Sequence, residues 1–218
     1  IGVGILVAVV LSQVMGVEQI PTVIPVVVLL VAGGSTMLYV AGMIIFEKDE
    51  GTINAVIVTP LRASEYLWSK IVTLTTLGTL EAVIMAGGAV AILWWFEREI
   101  PVPNIPILFI GAISMGVIYT LFGIVMVVRY NKITDFLVPV VVVASILQLP
   151  FVHFLNLVVH PAFLAIPSSA PTMLMQGAFS PLETWEWIYA VGYTAAQVVL
   201  LTIWAYRAFD AHVVQKVG

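Results

Sequence analysis

The sequence contains no cysteine and very little charge, and each absence excludes several classes of protein. Without cysteine the chain has no disulfide, no thiolate nucleophile and no Cys-ligated metal. Only 9% of its residues are Asp, Glu, Lys or Arg, whereas soluble domains carry about a quarter. The net charge is −4 and the sequence has no basic cluster, so we do not expect nucleic acid as a partner, since duplex binding needs several cations on phosphates.

The residues that are present are mostly apolar and fall into long runs. Hydrophobic residues make up 61% of the 218 positions. A helix needs about 20 apolar residues to cross a bilayer, so the runs predict an all-α polytopic membrane protein with six transmembrane helices. The predicted spans are residues 1–15, 22–46, 66–96, 105–128, 136–158 and 187–206.

The first of these runs is too short to cross a bilayer alone and does not begin with Met. We therefore expect it to be the remaining part of a truncated span. The chain shows no internal repeat and no Pro/Gly/Ser linker that would divide it. Residues 1–218 are interpreted as a single transmembrane domain.

Lysine and arginine are distributed unequally between the predicted connections. One set of connections contains Lys48, Arg62, Lys70, Arg129, Lys132, Arg207 and Lys216, and the other set contains Arg98. Cytoplasmic loops carry the excess of Lys and Arg in membrane proteins. This bias predicts that residues 47–65, residues 129–135 and the C-terminus face the cytoplasm, as expected of a multi-pass protein of the cell membrane.

The connection between the second and third predicted spans is the most charged part of the chain. Its sequence, EKDEGTINAVIVTPLRASEYLWSK, holds seven of the chain's twenty charged residues. Three apolar residues recur there at helical spacing and share one face: Ile53, Val56 and Ile57. Pro60 disfavours helical geometry at Thr59 and ends the helix there. The pattern predicts a short amphipathic helix at the inner face, which either only links the two spans or contacts a partner.

The same stretch, read from Phe46 as FEKDEGTINAVIVTPLRASEYLWSK, resembles the membrane subunit of type-2 ABC exporters. In that family an acidic pair flanks the end of the second span, Gly-Thr opens a short helix, and Thr-Pro-Leu-Arg closes it. The resemblance implies that residues 51–59 form a coupling helix that rests on an ATPase subunit. The coupling residues that it implies are Glu47, Glu50, Gly51, Thr52, Ile53, Val56, Ile57, Thr59, Pro60 and Lys70.

This resemblance also implies partners and a mode of action. The partners would be two copies of a cytoplasmic ABC ATPase, a second or homologous permease, and membrane lipid. The sequence has no G-x-x-x-x-G-K-[ST] motif, so we expect ATP and Mg on the partner ATPase and no cofactor on this chain. A hydrophobic or amphipathic cargo, either drug-like or lipid-like, would leave the cytoplasm by alternating access, across the inner or plasma membrane of a prokaryote.

The predicted outer segment from residue 160 to residue 186 is apolar and interrupted by prolines, so we expect short helical pieces. Its stretch IPSSAPTMLMQGAF resembles the outer helical hairpin of the same family, particularly of a group linked with the export of drugs such as fluoroquinolones. Two arrangements remain open. The segment either dips back among the helices, where its backbone is covered, or rests on the lipid headgroups.

Three polar residues inside predicted spans are candidates for a translocation path: Glu81, Gln148 and Asn156. Glu81 lies near the middle of the third span, where an ionisable group is costly and is by default a functional candidate. It could contact a cation or a proton, or it could hydrogen-bond to Thr76, Thr79 or a neighbouring helix. The alternative function is therefore an ion-coupled secondary transporter or a channel that uses Glu81.

His153 and His160 stand seven positions apart near the outer end of the fifth predicted span. They would share a face if that helix continued far enough. Two histidines without a third ligand make a weak metal site. We therefore predict no metal site and expect these rings to form hydrogen bonds at the membrane–water interface.

Overall fold

The computed structural model describes residues 2, 5, 6, 9, 10, 13, 16–51, 63–95 and 102–214. The secondary structure of the described residues is helical. Its α-helices are α1 (Ile20–Asp49), α2 (Ala63–Trp95), α3 (Ile105–Val127), α4 (Ile133–Gln148), α5 (Phe151–Phe154), α6 (Ser169–Gln176) and α7 (Thr184–Phe209). Short 3-10 helices cover Val17–Gln19 and Pro161–Ala165, and a π-helical turn, Asp210–Val214, follows α7.

Five of the described segments are long and apolar enough to cross a membrane: Ile20–Asp49, Ser64–Trp95, Ile105–Val127, Ile133–Phe154 and Thr184–His212. They match the second to sixth predicted spans and confirm an all-α polytopic membrane protein. Most of the predicted first span, residues 1–15, lies outside the described residues, as does most of the predicted coupling helix, residues 51–59. Both of these elements stay predictions.

The predicted span over residues 136–158 is wrong at its outer end. The helix breaks at Pro150, whose ring nitrogen carries no proton for a helical hydrogen bond, and α5 then adds only one turn. Asn156 has a φ of 58°, the left-handed backbone conformation that turns the chain out of a helix. His160 therefore does not continue a helical face from His153.

The long helix α3 lies at the centre of the bundle and packs against α1, α2, α6 and α7. Lipid tails are as apolar as the helices, so membrane helices associate through close packing and small residues. Gly33 of α1 shows this closeness, because a Cβ atom at this position would lie 2.5 Å from Cζ of Tyr119 on α3. Tyr119 is fully buried, so its ring is surrounded by other protein atoms.

Gly33→Ala is expected to destabilise the bundle by about 1–3 kcal/mol, because the added methyl group overpacks the contact with Tyr119. The midpoint of thermal unfolding in detergent, followed by tryptophan fluorescence, measures this loss. Gly42→Ala on the same helix is the matched control, since the nearest atom to its Cβ would be 3.8 Å away. Equal midpoints for the two variants would show that the α1–α3 contact is not tight.

The proline-rich outer segment folds into short pieces, as predicted, and α6 is enclosed by longer helices. Residues 169–175 are all buried, and α6 packs against α1, α3 and α7. A Cβ atom at Gly111 of α3 would lie 3.0 Å from the backbone nitrogen of Met175, so the two backbones nearly touch. Tyr189 on α7 donates a hydrogen bond to the carbonyl of Leu164 at 2.5 Å. This burial favours the arrangement in which the segment dips back among the helices.

Candidate functional site

Lys48, Lys70 and Arg129, which belong to the connections predicted to face the cytoplasm, lie at one end of the bundle. Lys48 at the end of α1 contacts the turn that follows α3. The ring of Tyr66, near the start of α2, stacks on Phe209 at the end of α7, with the ring centroids 5.4 Å apart. In the same region, the guanidinium of Arg129 lies 6.0 Å from the ring centroid of Trp204. Four of the long helices are therefore joined at the end that the sequence predicts to be cytoplasmic.

An ion pair connects the end of α1 with the start of α2. Lys70 pairs with Glu47, and the Tyr66 hydroxyl donates a hydrogen bond to the other oxygen of the same carboxylate. The side chains of Lys70 and Glu47 are only 10% and 20% exposed. The Lys70 ammonium also lies 5.1 Å from the centroid of the Tyr66 ring, a cation–π distance. These contacts fix the distance between the two helices on either side of the charged connection.

Lys48 fastens the same end of α1 to α3. Its ammonium donates hydrogen bonds to the carbonyl of Val128 at 2.9 Å and to the carbonyl of Tyr130 at 2.8 Å. The last carbonyls of a helix have no partner within it, and they carry partial negative charge. A lysine at this place therefore satisfies the end of α3 while it holds α1 in position.

Gly51 follows the end of α1 and begins the charged connection. Its φ of 71° lies in the left-handed region that glycine adopts without strain, which is typical of the residue after a helix. Its amide donates to the carbonyl of Lys48 at 3.1 Å, and the amide of the exposed Glu50 donates to Phe46 at 2.9 Å. The other predicted coupling residues, namely Thr52, Ile53, Val56, Ile57, Thr59 and Pro60, lie outside the described residues.

Glu81 on α2 is a buried carboxyl in the middle of a span, and only 1% of its surface is exposed. The Ser35 hydroxyl on α1 donates a hydrogen bond to its Oε2 at 2.6 Å, whereas its Oε1 has no hydrogen-bond partner. The structure thus contains the predicted bond to a neighbouring helix, while Thr76 donates to Val72 instead. Ser35 and Tyr39, whose hydroxyls lie near Glu81, were not predicted from the sequence. Their spacing of four residues, which puts them on one helix face, was the available signal.

The other two candidates for a translocation path have partners and surroundings of their own. Gln148 donates from Nε2 to the carbonyl of Leu30 on α1 at 2.8 Å, so it joins α4 to α1. Asn156 is exposed and lies beyond the helix, at a cavity of about 390 Å³ near the outer ends of the spans. Glu81 bonds to Ser35 and Gln148 bonds to Leu30, so the hydrogen bonds of the described residues do not join these predicted path residues to one another.

The two histidines contact each other through a turn. The backbone amide of His160 donates to Nδ1 of His153 at 3.3 Å, and the His160 ring accepts from the amide of Ala162 at 3.1 Å. Hydrogen bonding at this end of the bundle is confirmed. Among the described residues, no group of three or more His, Asp or Glu side chains could hold a metal ion.

A bundle of apolar helices with a buried mid-span carboxyl and joined charged ends is the architecture of a multi-pass membrane protein. A family model described as the fluoroquinolones export permease protein family matches residues 2–217, and the chain belongs to this family. The chain is also similar to the fluoroquinolones export permease proteins of Mycobacterium tuberculosis strains CDC 1551 / Oshkosh and ATCC 25618 / H37Rv. Each is 32% identical over 183 residues, which cover 83% of this chain and 73% of the relative. The predicted resemblance to drug-export permeases is confirmed.

Proposed function

We propose that this chain is the membrane subunit of an ATP-driven exporter that moves hydrophobic or amphipathic compounds out of the cytoplasm. Membership of the permease family supports transport, and the names of the two relatives support drug-like cargo of the fluoroquinolone kind. The span interiors offer many apolar contacts and few charges, which suits such cargo. The membrane is the inner or plasma membrane of a prokaryote.

The observation that carries this proposal is the way in which the charged connection is held at both ends. Before it, Lys48 fastens α1 to α3, and after it, Lys70 ties α2 to Glu47 on α1. A segment that transmits force from a soluble partner needs such anchors, because a push on a loose loop would be lost in its own motion. Residues 51–59 are proposed to form the coupling helix between these anchors.

The working assembly would contain two permease copies, or one copy with a homologous permease, together with two ABC ATPase subunits. ATP and Mg would bind to the ATPases, and this chain would bind no cofactor. Closure of the ATPases would push the coupling helices and shift the six-span permeases between inward-open and outward-open states. The spans and their connections form one domain in this proposal.

Asn54→Cys is expected to crosslink to the ATPase, because residue 54 lies in the proposed coupling helix. The chain has no cysteine of its own, so a single introduced cysteine needs no altered background. Crosslinking in membranes with a short bifunctional reagent, followed by gel analysis, measures the contact. Val102→Cys is the matched control, because this residue is 83% exposed and precedes α3 at the opposite end of the bundle.

We expect the cysteine at residue 54, and not the one at residue 102, to crosslink to the ATPase. When an impermeant thiol reagent is added outside intact cells, we expect it to label residue 102 and not residue 54. Efficient labelling of Asn54→Cys from outside would contradict both the orientation and the docking of residues 51–59.

An ion-coupled transporter remains the second candidate, and the burial of Glu81 in mid-span is the observation that favours it. This alternative predicts export that is driven by an ion gradient in vesicles without ATP, by a protein that purifies without an ATPase. Export that requires ATP and a co-purifying ATPase would exclude it.

A further inference from the structure

We infer that Ser35, Tyr39 and Glu81 form a subsite that recognises the positive charge of an amine-bearing cargo. The inference rests on the proposed export function and specifies part of its substrate class. These three residues are called the carboxyl cluster below. They lie on two adjacent helices, Ser35 and Tyr39 on α1 and Glu81 on α2.

The depth of the carboxyl cluster is its first notable property. Ser35 lies near the middle of the span Ile20–Asp49, and Glu81 lies near the middle of the span Ser64–Trp95. An ionisable group at that depth is costly, and such groups face a bundle interior or a transport path and find a partner there. Glu81 is almost completely buried, so water does not provide that partner.

The hydrogen bonds that Glu81 makes leave one of its oxygens without a partner. Ser35 supplies one hydrogen bond, to Oε2, and Oε1 accepts none. The salt bridge between Lys70 and Glu47 lies at the end of the bundle and does not involve Glu81. A carboxylate with a free oxygen and no cation nearby is well suited to bind an ammonium group, which brings both charge and donors.

Tyr39 is the second residue of α1 whose hydroxyl lies near this carboxyl. It is four residues after Ser35 and thus on the same helix face, its hydroxyl neighbours both Ser35 and Glu81, and 37% of its surface is exposed. In this proposal, cargo reaches the carboxyl when this partly exposed side chain moves. An aromatic ring face also attracts an ammonium group. Leu38, beside it and 50% exposed, offers an apolar contact to the body of the cargo.

A proton could bind to Glu81 in place of an amine. The effect of changing Tyr39 distinguishes these two occupants. Binding of an amine uses the aromatic ring as well as the carboxyl, whereas binding of a proton needs only the carboxyl. The cluster is therefore tested with variants at both positions and with two probes that differ in charge. The probes are a fluorescent hydrophobic tertiary amine and an amide analogue of similar size without charge.

The test measures equilibrium binding of both probes to the purified transporter without ATP, by fluorescence polarisation. Glu81→Gln is expected to weaken binding of the amine by roughly tenfold or more, because a charge-assisted contact is lost, and to leave the neutral amide unchanged. Tyr39→Ala should weaken binding of the amine by about threefold or more. Tyr39→Phe, which keeps the ring, should retain most of that affinity.

Two controls separate recognition from folding. Thr120→Val removes a hydroxyl that is buried in α3 and lies outside the carboxyl cluster, and it should affect neither probe. Thermal unfolding midpoints report on the fold of each variant, and Tyr39→Ala keeps the test open if Glu81→Gln is unstable, because Tyr39 is partly exposed. Equal losses for both probes, or a wild-type protein without preference for the amine, would overturn the inference.

The energy source is measured separately, as efflux of the same probes from vesicles with and without ATP. Amine binding that depends on Glu81 without any ATP-driven efflux would support the subsite and contradict the proposed function. ATP-driven efflux that does not distinguish the probes, with unchanged binding in Glu81→Gln, would support the function and overturn the subsite.

Discussion

Lys70→Met is expected to lower the free energy of unfolding by about 3 kcal/mol and to abolish most export, because it leaves the Glu47 carboxylate largely buried without its cation. The side chain of Glu47 is only 20% exposed, so water replaces the lost partner poorly. Methionine keeps an unbranched apolar stem beside Tyr66, which limits the change to the loss of charge. Thermal unfolding in detergent and efflux in vesicles measure the two effects.

The matched control is Lys132→Met, which removes an exposed lysine from the same end of the bundle. It should change the free energy of unfolding by no more than about 0.5 kcal/mol and leave the rate of efflux nearly unchanged. The double variant Glu47→Gln with Lys70→Met should recover part of the lost stability, since neither partner is then left as an unpaired buried charge. If Lys70→Met unfolds at the wild-type temperature, the ion pair does not hold α1 against α2.

The long helices could be predicted from the sequence because the bilayer imposes one simple requirement on them. Segments of about 20 apolar residues recur, and the structure places spanning helices at five of them. The outer end of the fifth span could not be predicted in the same way. Hydropathy continues past Phe154, whereas the turn depends on Pro150 and on the left-handed conformation of Asn156. Backbone geometry, and not polarity, ends that helix.

The candidate site could be predicted only in part, for a related reason. Depth along a helix can be counted, so Glu81 stands out as a charged residue in mid-span. Its partners depend on how α1 and α2 are rotated against each other, and the sequence of one helix does not specify that rotation. Gln148 illustrates the same limit, because its bond to the carbonyl of Leu30 uses a backbone group that no residue pattern reveals.

The anchors found in the structure make the role of the predicted Thr-Pro break testable. Thr59→Ala combined with Pro60→Ala removes the ring that disfavours a helix at this point, so the predicted coupling helix could run on toward α2. Ile53, Val56 and Ile57 are unchanged, so the apolar face for docking should persist. Lys48, Glu47 and Lys70 would still fasten the flanking helices.

The expected result is a transporter that still assembles with its ATPase and hydrolyses ATP, while the cargo exported per ATP falls severalfold. Docking depends on the apolar face, whereas transmission depends on a fixed angle between the coupling helix and α2, and the double variant changes only the angle. Reconstituted vesicles allow ATP hydrolysis and efflux to be measured in the same sample. A proline in a passive loop would matter little. Wild-type export per ATP in the double variant would therefore show that the Thr-Pro break is not needed for coupling.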